Sequence, residues 1–124
     1  MLTIRQEQWD AFRQYSTDMF EERCVAWLQR TRARDCEKMG DEGVRSLVHA
    51  GVERCEHYGI VSESNVRQYI EMMFDWGVDF DRSPDTPWAA DVLAWDMPGE
   101  AKMRSLAMHA SAEQEARLTR RRRS

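Results

Sequence analysis

The chain has 124 residues and a mass of 14.6 kDa, which suits one compact domain. Hydrophobic residues make up 42% and charged residues 32%, ordinary values for a globular protein and too apolar for a disordered one. No apolar run approaches the roughly 20 residues of a membrane-spanning helix. The first residues also lack the charged start and apolar stretch of a secretory signal. We therefore expect a cytoplasmic protein with no membrane partner.

Charge is distributed unevenly along a chain whose formal net charge is −4. Residues 71–100 contain eight carboxylates and one arginine, whereas residues 117–124 contain five arginines. Affinity for nucleic acid comes largely from lysine and arginine, so the acidic chain is not expected to bind it. The arginine-rich segment 117–124 is predicted to be a flexible, solvated tail.

The cysteines Cys24, Cys36 and Cys55 are odd in number and widely spaced. This pattern fits neither a disulfide framework nor a structural zinc site. Cys24 and Cys55 fall on apolar helical positions, where we expect them to be small core residues.

Apolar residues that recur at spacings of three and four predict the first two helices. The first is capped by Thr3 and runs to about Arg34, with apolar positions Phe12, Tyr15, Met19, Phe20, Cys24, Trp27 and Leu28. Gly40 marks a break, after which Asp41 is the predicted N-cap of the second helix. That helix carries Val44, Leu47, Val48, Gly51, Val52 and Cys55, and its end is predicted at a left-handed Gly59 with Ile60 folding back.

The rest of the chain predicts three further helices and no strand. Ser62 caps the third, whose apolar positions are Val66, Tyr69, Ile70, Met73 and Phe74, and Gly77-Val78 repeats the stop at Gly59-Ile60. A loop over 79–86 leads to a short helix with Thr86 as N-cap and Pro87 at its first position, ending near Trp95. The last helix starts near Glu100 and reaches about Leu118. We predict a monomeric all-α bundle of about five helices in a single domain, residues 1–116.

Patterns that carry chemistry are missing from this sequence. The acidic loop 79–85 resembles a calcium loop, but the required glycine and glutamate are replaced by Pro84 and Ala90. His49 and His57 are two turns apart on one helix, about 12 Å, too far to share a metal ion. There is neither a nucleophile motif nor a glycine-rich phosphate loop. We expect no enzymatic activity, metal, cofactor or small-molecule substrate.

An excess of aromatic residues beside the acidic loop predicts a protein-binding surface instead. The candidate apolar contacts are Trp76, Phe80 and Trp88, and the candidate charged rim is Asp79, Asp81 and Asp85. Aromatic residues bordered by charges are typical of protein interfaces. The alternative is that Phe80 and Trp88 anchor the loop to the bundle while the aspartates cap and solvate it.

Several segments, in their order and spacing, resemble small helical proteins encoded beside bacterial type VI secretion effectors. The matching segments are Ile4-Arg5-x-Glu7-Gln8 with Phe12, Phe20-x-x-Arg23, Leu47-Val48-x-x-Gly51, Tyr58-Gly59-Ile60-x-Ser62-Glu63-x-x-Val66, Met73-x-x-x-Gly77-x-Asp79-Phe80-Asp81, Pro87-Trp88-Ala89-x-x-Val92-Leu93 and Lys102-Met103-x-x-Leu106. The resemblance covers roughly residues 3–106 and leaves out the arginine-rich segment.

This resemblance implies a non-enzymatic accessory protein, similar to a chaperone or adaptor, that helps to load an effector. Its partner would be the effector or toxin itself, or the effector's adaptor protein, and the resemblance brings no catalytic residues with it. The first alternative is an immunity protein that neutralises a cognate toxin, since such proteins are also small, acidic and rich in aromatic residues. A small helical enzyme or regulator is a second alternative.

Overall fold

The computed structural model describes residues 6–123, except for the side chains of Gln6, Glu7, Trp9 and Phe12. Its helices are α1 (Gln6–Thr31), α2 (Ala33–His57), α3 (Glu63–Trp76), α4 (Pro87–Leu93) and α5 (Gly99–Arg123), and residues 6–123 contain no strand. The predicted all-α fold of about five helices is therefore confirmed. The predicted cap at Thr3 lies outside the described residues.

The chain divides into two compact units, Met1–Ala50 and Gly51–Ser124, and the boundary falls within α2. In the first unit, Gln29 donates a hydrogen bond to Asp41 at 3.3 Å, and Arg45 forms an ion pair with Glu22. The later of the two α1 residues, Gln29, thus contacts the earlier of the two α2 residues, Asp41. The two helical segments of this unit are therefore antiparallel.

Among the described side chains of α1, the buried ones are in its second half, where Phe20, Cys24 and Leu28 are almost inaccessible to solvent. Tyr15 and Met19, predicted on the same apolar stripe, are exposed instead. Within this unit, the α2 segment 41–50 spans about 15 Å, against about 39 Å for the whole of α1. A segment of that length can cover only part of α1, which is consistent with the exposure of Tyr15 and Met19.

The break predicted at Gly40 is confirmed, since this residue has φ 78° and ψ 163° inside α2. A glycine tolerates such a positive φ because it has no Cβ. The residues before the break are also helical, from Ala33 onward, and α1 ends at Thr31. The sequence instead predicted that the first helix continued to about Arg34.

In the second unit, α2 ends in the motif predicted at Gly59, whose φ is 75°. The Ile60 amide donates to the Cys55 carbonyl at 2.8 Å, and the Gly59 amide donates to the Glu56 carbonyl at 3.2 Å. These two bonds define a Schellman motif, which satisfies carbonyls that the helix itself leaves unpaired. Ile60 is buried, as expected for a residue that folds back onto the helix.

Helix α3 begins at the predicted cap, because the Asn65 amide donates to Ser62 Oγ at 3.2 Å. It ends at Trp76, before Gly77 with φ 109° and ψ 151°. The Gly77 amide donates to the Met73 carbonyl at 3.1 Å, and Val78 is exposed rather than folded back. Gly77 therefore stops the helix as predicted, but in a different conformation from Gly59.

Thr86 is the N-cap residue of α4, as predicted, but its side chain makes no capping hydrogen bond. Its hydroxyl donates instead to the Phe80 carbonyl at 2.6 Å and closes the preceding loop. Pro87 occupies the first turn of α4 as predicted, and the helix ends at Leu93, before Trp95.

Helix α5 begins against the end of α2. A Cβ atom on Gly99 would lie 2.8 Å from the Cα atom of Ile60 and closer still to the Gly59 carbonyl oxygen. The ammonium of Lys102 donates to the Tyr58 carbonyl at 3.0 Å. These contacts hold the first turns of α5 against the end of α2.

Buried side chains of the second unit come from all its helices and from the α3–α4 loop. They include Cys55, Ile60, Val66, Tyr69, Ile70, Met72, Met73, Phe80, Ala89, Val92, Leu93, Met103 and Leu106. Helix α5 continues through Arg123, with exposed or half-buried side chains after Leu106. The predicted domain boundary and the flexibility of the segment 117–124 stay predictions. Among the described helices, none has the length and apolar composition needed to cross a membrane.

Candidate protein-binding site

The guanidinium of Arg54, near the end of α2, holds the loop between α3 and α4. Its Nη2 atom donates to Asp79 Oδ1 at 2.6 Å, and Nη1 donates to the Val78 carbonyl. The planar guanidinium carries several donors and can bind both groups at once. The Asp79 side chain is still 65% exposed, so it also faces solvent.

Asp81 lies inside the molecule, and its side chain is fully buried. Tyr58 Oη donates to Oδ2 at 2.6 Å, Arg82 Nη2 donates to the same oxygen at 3.4 Å, and Arg54 Nη1 lies 3.5 Å from Oδ1. A buried carboxylate is costly unless it is paired and hydrogen-bonded. Tyr58 and Arg82 satisfy Oδ2, whereas Oδ1 has the Arg54 charge beside it but no hydrogen bond.

The same carboxylate affects the titration of its neighbours. Burial, followed by the hydrogen bond to Asp81 and the charge of that carboxylate, raises the pKa of Tyr58 to about 12. Burial also raises the pKa of Tyr69 above its ordinary value, again with a contribution from Asp81. Both phenols are therefore protonated at neutral pH, and Tyr58 acts as a hydrogen-bond donor.

Phe80 is also directed inward, with 0% of its surface exposed. Its ring packs on Tyr69 with 5.0 Å between centroids, and its carbonyl accepts the hydrogen bond from Thr86. The prediction that Phe80 and Asp81 lie on an exposed surface is therefore wrong. Phe80 fits the alternative of a loop anchor, and Asp81 is a buried ion-pair partner rather than part of a charged rim.

Trp76 and Trp88 are brought together as the proposed surface required. Their ring centroids are 5.4 Å apart and the planes are nearly perpendicular, at 84°. Each ring is half-buried, so the pair is partly accessible from solvent. The pair joins the last residue of α3 to the first turn of α4.

Two residues of α5 extend this pair into an aromatic and cationic cluster. The His109 ring is stacked on Trp88 with 6.2 Å between centroids and 15° between planes. The Arg117 guanidinium carbon lies 4.6 Å from the centroid of Trp76. The Trp76 cluster, as we name Trp76, Trp88, His109 and Arg117, thus joins three helices of the second unit.

Asp85 lies apart from these contacts, with an exposed side chain. Its backbone amide donates to the Ser83 hydroxyl at 3.1 Å, a short-range bond that shapes the turn. Of the six predicted residues, Asp79 and Asp85 are exposed, Trp76 and Trp88 are half-buried, and Phe80 and Asp81 are buried.

Sequence analysis missed four residues of this region, namely Arg54, Tyr58, His109 and Arg117. Arg54 and Tyr58 are more than 20 residues away from Asp79 and Asp81, and no local pattern links them. His109 and Arg117 did carry a signal, since with Glu113 they repeat at a spacing of four. That spacing puts them on one face of α5.

The three cysteines lie outside this cluster. Cys24, Cys36 and Cys55 are free and buried, which confirms the core placement predicted for Cys24 and Cys55. Burial raises the pKa of the Cys55 thiol to about 12. Within residues 6–123, no group of three or more His, Cys, Asp or Glu side chains could hold a metal ion.

No family model, curated protein or solved structure matches the chain. The resemblance to type VI accessory proteins therefore stays a prediction from the sequence.

Proposed function

We propose that the protein is a non-enzymatic accessory protein, chaperone- or adaptor-like, that binds a type VI secretion effector or its adaptor in the donor cytoplasm. The proposal rests on the resemblance of residues 3–106 to accessory proteins of effector cassettes. The surface that would bind the partner consists of Trp76, Trp88 and the exposed Asp79 and Asp85.

The observation that carries a binding role is the half-exposed pair of tryptophans. Tryptophan is enriched among the residues that dominate binding energies at protein interfaces. Large tryptophan rings are rarely buried completely, and both rings here keep part of their surface open to solvent, where a partner can reach it. The pair is positioned by three helices, so it is rigid enough to bind without a large ordering cost.

The exposed carboxylates of Asp79 and Asp85, which are close to this pair in the sequence, would act mainly on the rate of association. Asp79 follows Trp76 by three residues, and Asp85 precedes Trp88 by three. Exposed charges steer an oppositely charged partner towards contact, and they contribute less to the final affinity. A basic partner surface would be complementary to this rim.

The state of the cysteines supports the non-enzymatic part of the proposal. The thiolate is the nucleophilic form of cysteine, and a reactive cysteine has a lowered pKa. The pKa of Cys55 is raised by burial, so this thiol stays protonated and out of reach of a substrate.

The experiment is co-purification of the tagged protein with each protein encoded beside its gene. We expect one effector or adaptor to co-purify with the unaltered chain and to be lost from Trp76→Ala. Trp95→Ala is the matched control, because Trp95 is an exposed tryptophan outside the Trp76 cluster. Equal capture by both variants would contradict the proposed surface.

Toxicity assays separate the accessory role from the immunity alternative. Deletion of the gene should reduce export or stability of the bound effector without poisoning the producing cell. Protection of recipient cells by the protein alone would identify an immunity protein instead and would overturn the accessory role.

A further inference from the structure

We propose that the Trp76 ring is a receptor for an arginine side chain of the binding partner, and that Arg117 occupies it in the unbound chain. This inference rests on the proposed function, because it names the chemistry of the partner at the same site. Arg117 would then be a built-in competitor that the partner displaces.

The geometry of the Trp76 cluster carries the first step. The Arg117 guanidinium lies 4.6 Å from the Trp76 centroid, within the range of a cation–π contact. Trp88 meets Trp76 nearly at right angles and does not stack on it in parallel. The Arg117 contact shows that one face of Trp76 accepts a planar cation.

The chemistry of the surroundings favours a cation, and arginine in particular. Tryptophan is the best aromatic acceptor of a cation, and the flat guanidinium stacks on a ring where the compact ammonium of lysine cannot. In the sequence, Glu71 and Asp75 precede Trp76 and Asp79 follows it, with Asp79 paired to Arg54. Net negative charge in this part of the chain favours the approach of a cationic partner.

Arg117 is held weakly enough to be displaced. Its side chain is 50% exposed, and its ion pair with Glu113, at 3.7 Å, lies within the same helix and near the surface. Exposed ion pairs of this kind contribute little to stability. After Leu106 the side chains of α5 are exposed or half-buried, so Arg117 can move from the ring without disturbing the buried side chains.

The test measures binding of a fluorescently labelled hexa-arginine peptide to the full chain by fluorescence anisotropy. We expect Arg117→Ala to bind the peptide about tenfold more tightly than the unaltered protein, because the competitor is removed. The gain should disappear in the double variant Arg117→Ala/Trp76→Ala. A peptide of citrulline, which lacks the charge, should bind none of the variants.

Matched controls separate this contact from general attraction to an acidic protein. Arg104→Ala removes an exposed arginine from the same helix, outside the Trp76 cluster, and should leave peptide affinity within about twofold. Arg117→Gln removes the charge but keeps most of the side-chain stem. It should show the same gain in affinity as Arg117→Ala, so that the gain is not due to a disturbed α5. Hexa-lysine should bind more weakly than hexa-arginine.

Each of the following results would overturn the inference. Equal affinity of the unaltered protein, Arg117→Ala and Arg117→Gln would show that Arg117 does not compete. A gain that persists without Trp76, or equal binding of lysine and arginine peptides, would show diffuse charge attraction only. If a neighbouring gene product binds regardless of Arg117, the inference alone fails. If the peptide binds as expected but no such product binds, the proposed function alone fails.

Discussion

At the scale of single residues, neighbouring positions in the acidic loop have opposite roles. Asp79 is exposed and held by Arg54, whereas Phe80 and Asp81 are buried. A buried carboxylate depends on its partners far more than an exposed one, because solvent cannot replace them. The three aspartates of the loop are therefore not equivalent, although composition alone suggests one charged rim.

We expect Asp81→Asn to lower the free energy of unfolding by about 2–4 kcal/mol, since it breaks a buried ion pair. The estimate lies towards the lower end because Arg54 keeps some access to solvent. Chemical denaturation monitored by circular dichroism measures the change. Asp85→Asn is the control and should stay within about 0.5 kcal/mol, as expected for an exposed side chain. If Asp81→Asn were as stable as Asp85→Asn, the buried ion pair of Asp81 would not contribute to the stability of the fold.

The raised pKa of Tyr58 predicts a loss of stability at alkaline pH. Its pKa is raised to about 12 in the folded state, so the unfolded chain releases this proton first as the pH rises. The folded state then binds more protons than the unfolded state, and stability falls from about pH 10 upward. Below about pH 10 the contribution of Tyr58 is fully present.

Tyr58→Phe tests this pH dependence, because it removes both the titration and the hydrogen bond to Asp81. The unaltered protein should be more stable than the variant near pH 8, and the difference should shrink between about pH 10 and 12. Denaturation at each pH gives the difference directly. If the difference in stability between the two proteins stayed constant from about pH 10 to 12, the pKa of Tyr58 would not be raised in the folded state.

At the scale of elements, the end of α2 and the start of α5 form one packed corner. The Schellman turn at Gly59 brings Ile60 inward, and Gly99 contacts the backbone of both residues. Lys102 adds a hydrogen bond to the last turn of α2, where a cation also interacts favourably with the helix dipole. The corner depends on glycine at two positions, for different reasons.

Gly99→Ala should destabilise the protein by at least about 1–3 kcal/mol, because its new Cβ would meet backbone atoms that cannot move aside. Gly43→Ala provides a matched control in α2. Its Cβ would meet only Met39 Cβ at 3.3 Å, and alanine is the better helix former, so stability should change little or rise. Thermal denaturation compares them. If Gly99→Ala left the thermal stability unchanged, the backbones at Gly99 and Gly59 would have room to move apart.

At the scale of the whole molecule, burial ends well before the chain does. In α5, Lys102, Met103 and Leu106 are buried, whereas later side chains are exposed or half-buried. Helical segments that lack packed partners open easily, since most helix stability in proteins comes from tertiary packing. In this part of α5, His109 contacts Trp88 and Arg117 contacts Trp76.

Hydrogen exchange should therefore distinguish the two halves of α5. Amides near Met103 and Leu106 should exchange as slowly as those of Tyr69 and Ile70 in α3. Amides in the segment 118–123 should exchange faster by orders of magnitude, which also tests the predicted flexible tail. Mass spectrometry of peptic fragments measures both. Strong protection through Arg123 would contradict that prediction.

The helices and several of their ends could be predicted from the sequence, because they depend on nearby residues. Ser62 caps α3, and Gly59 with Ile60 ends α2, through hydrogen bonds that span at most five residues. The boundary between the first two helices was less accurate. Thr86 was predicted as a cap, but a bond to the Phe80 carbonyl, six residues away, took its hydroxyl.

The all-α class, the Gly40 break and an aromatic and acidic region around α3 and α4 follow from sequence patterns alone. Which side chains of that region face solvent depends on how the helices pack. Composition cannot distinguish Asp79 from Asp81, since that difference arises from Arg54 in α2 and Tyr58 directly after it. The placement of Arg117 on Trp76, 41 residues away, is likewise a consequence of folding. Local hydrogen bonds are encoded locally, whereas burial and charge pairing depend on residues distant along the chain.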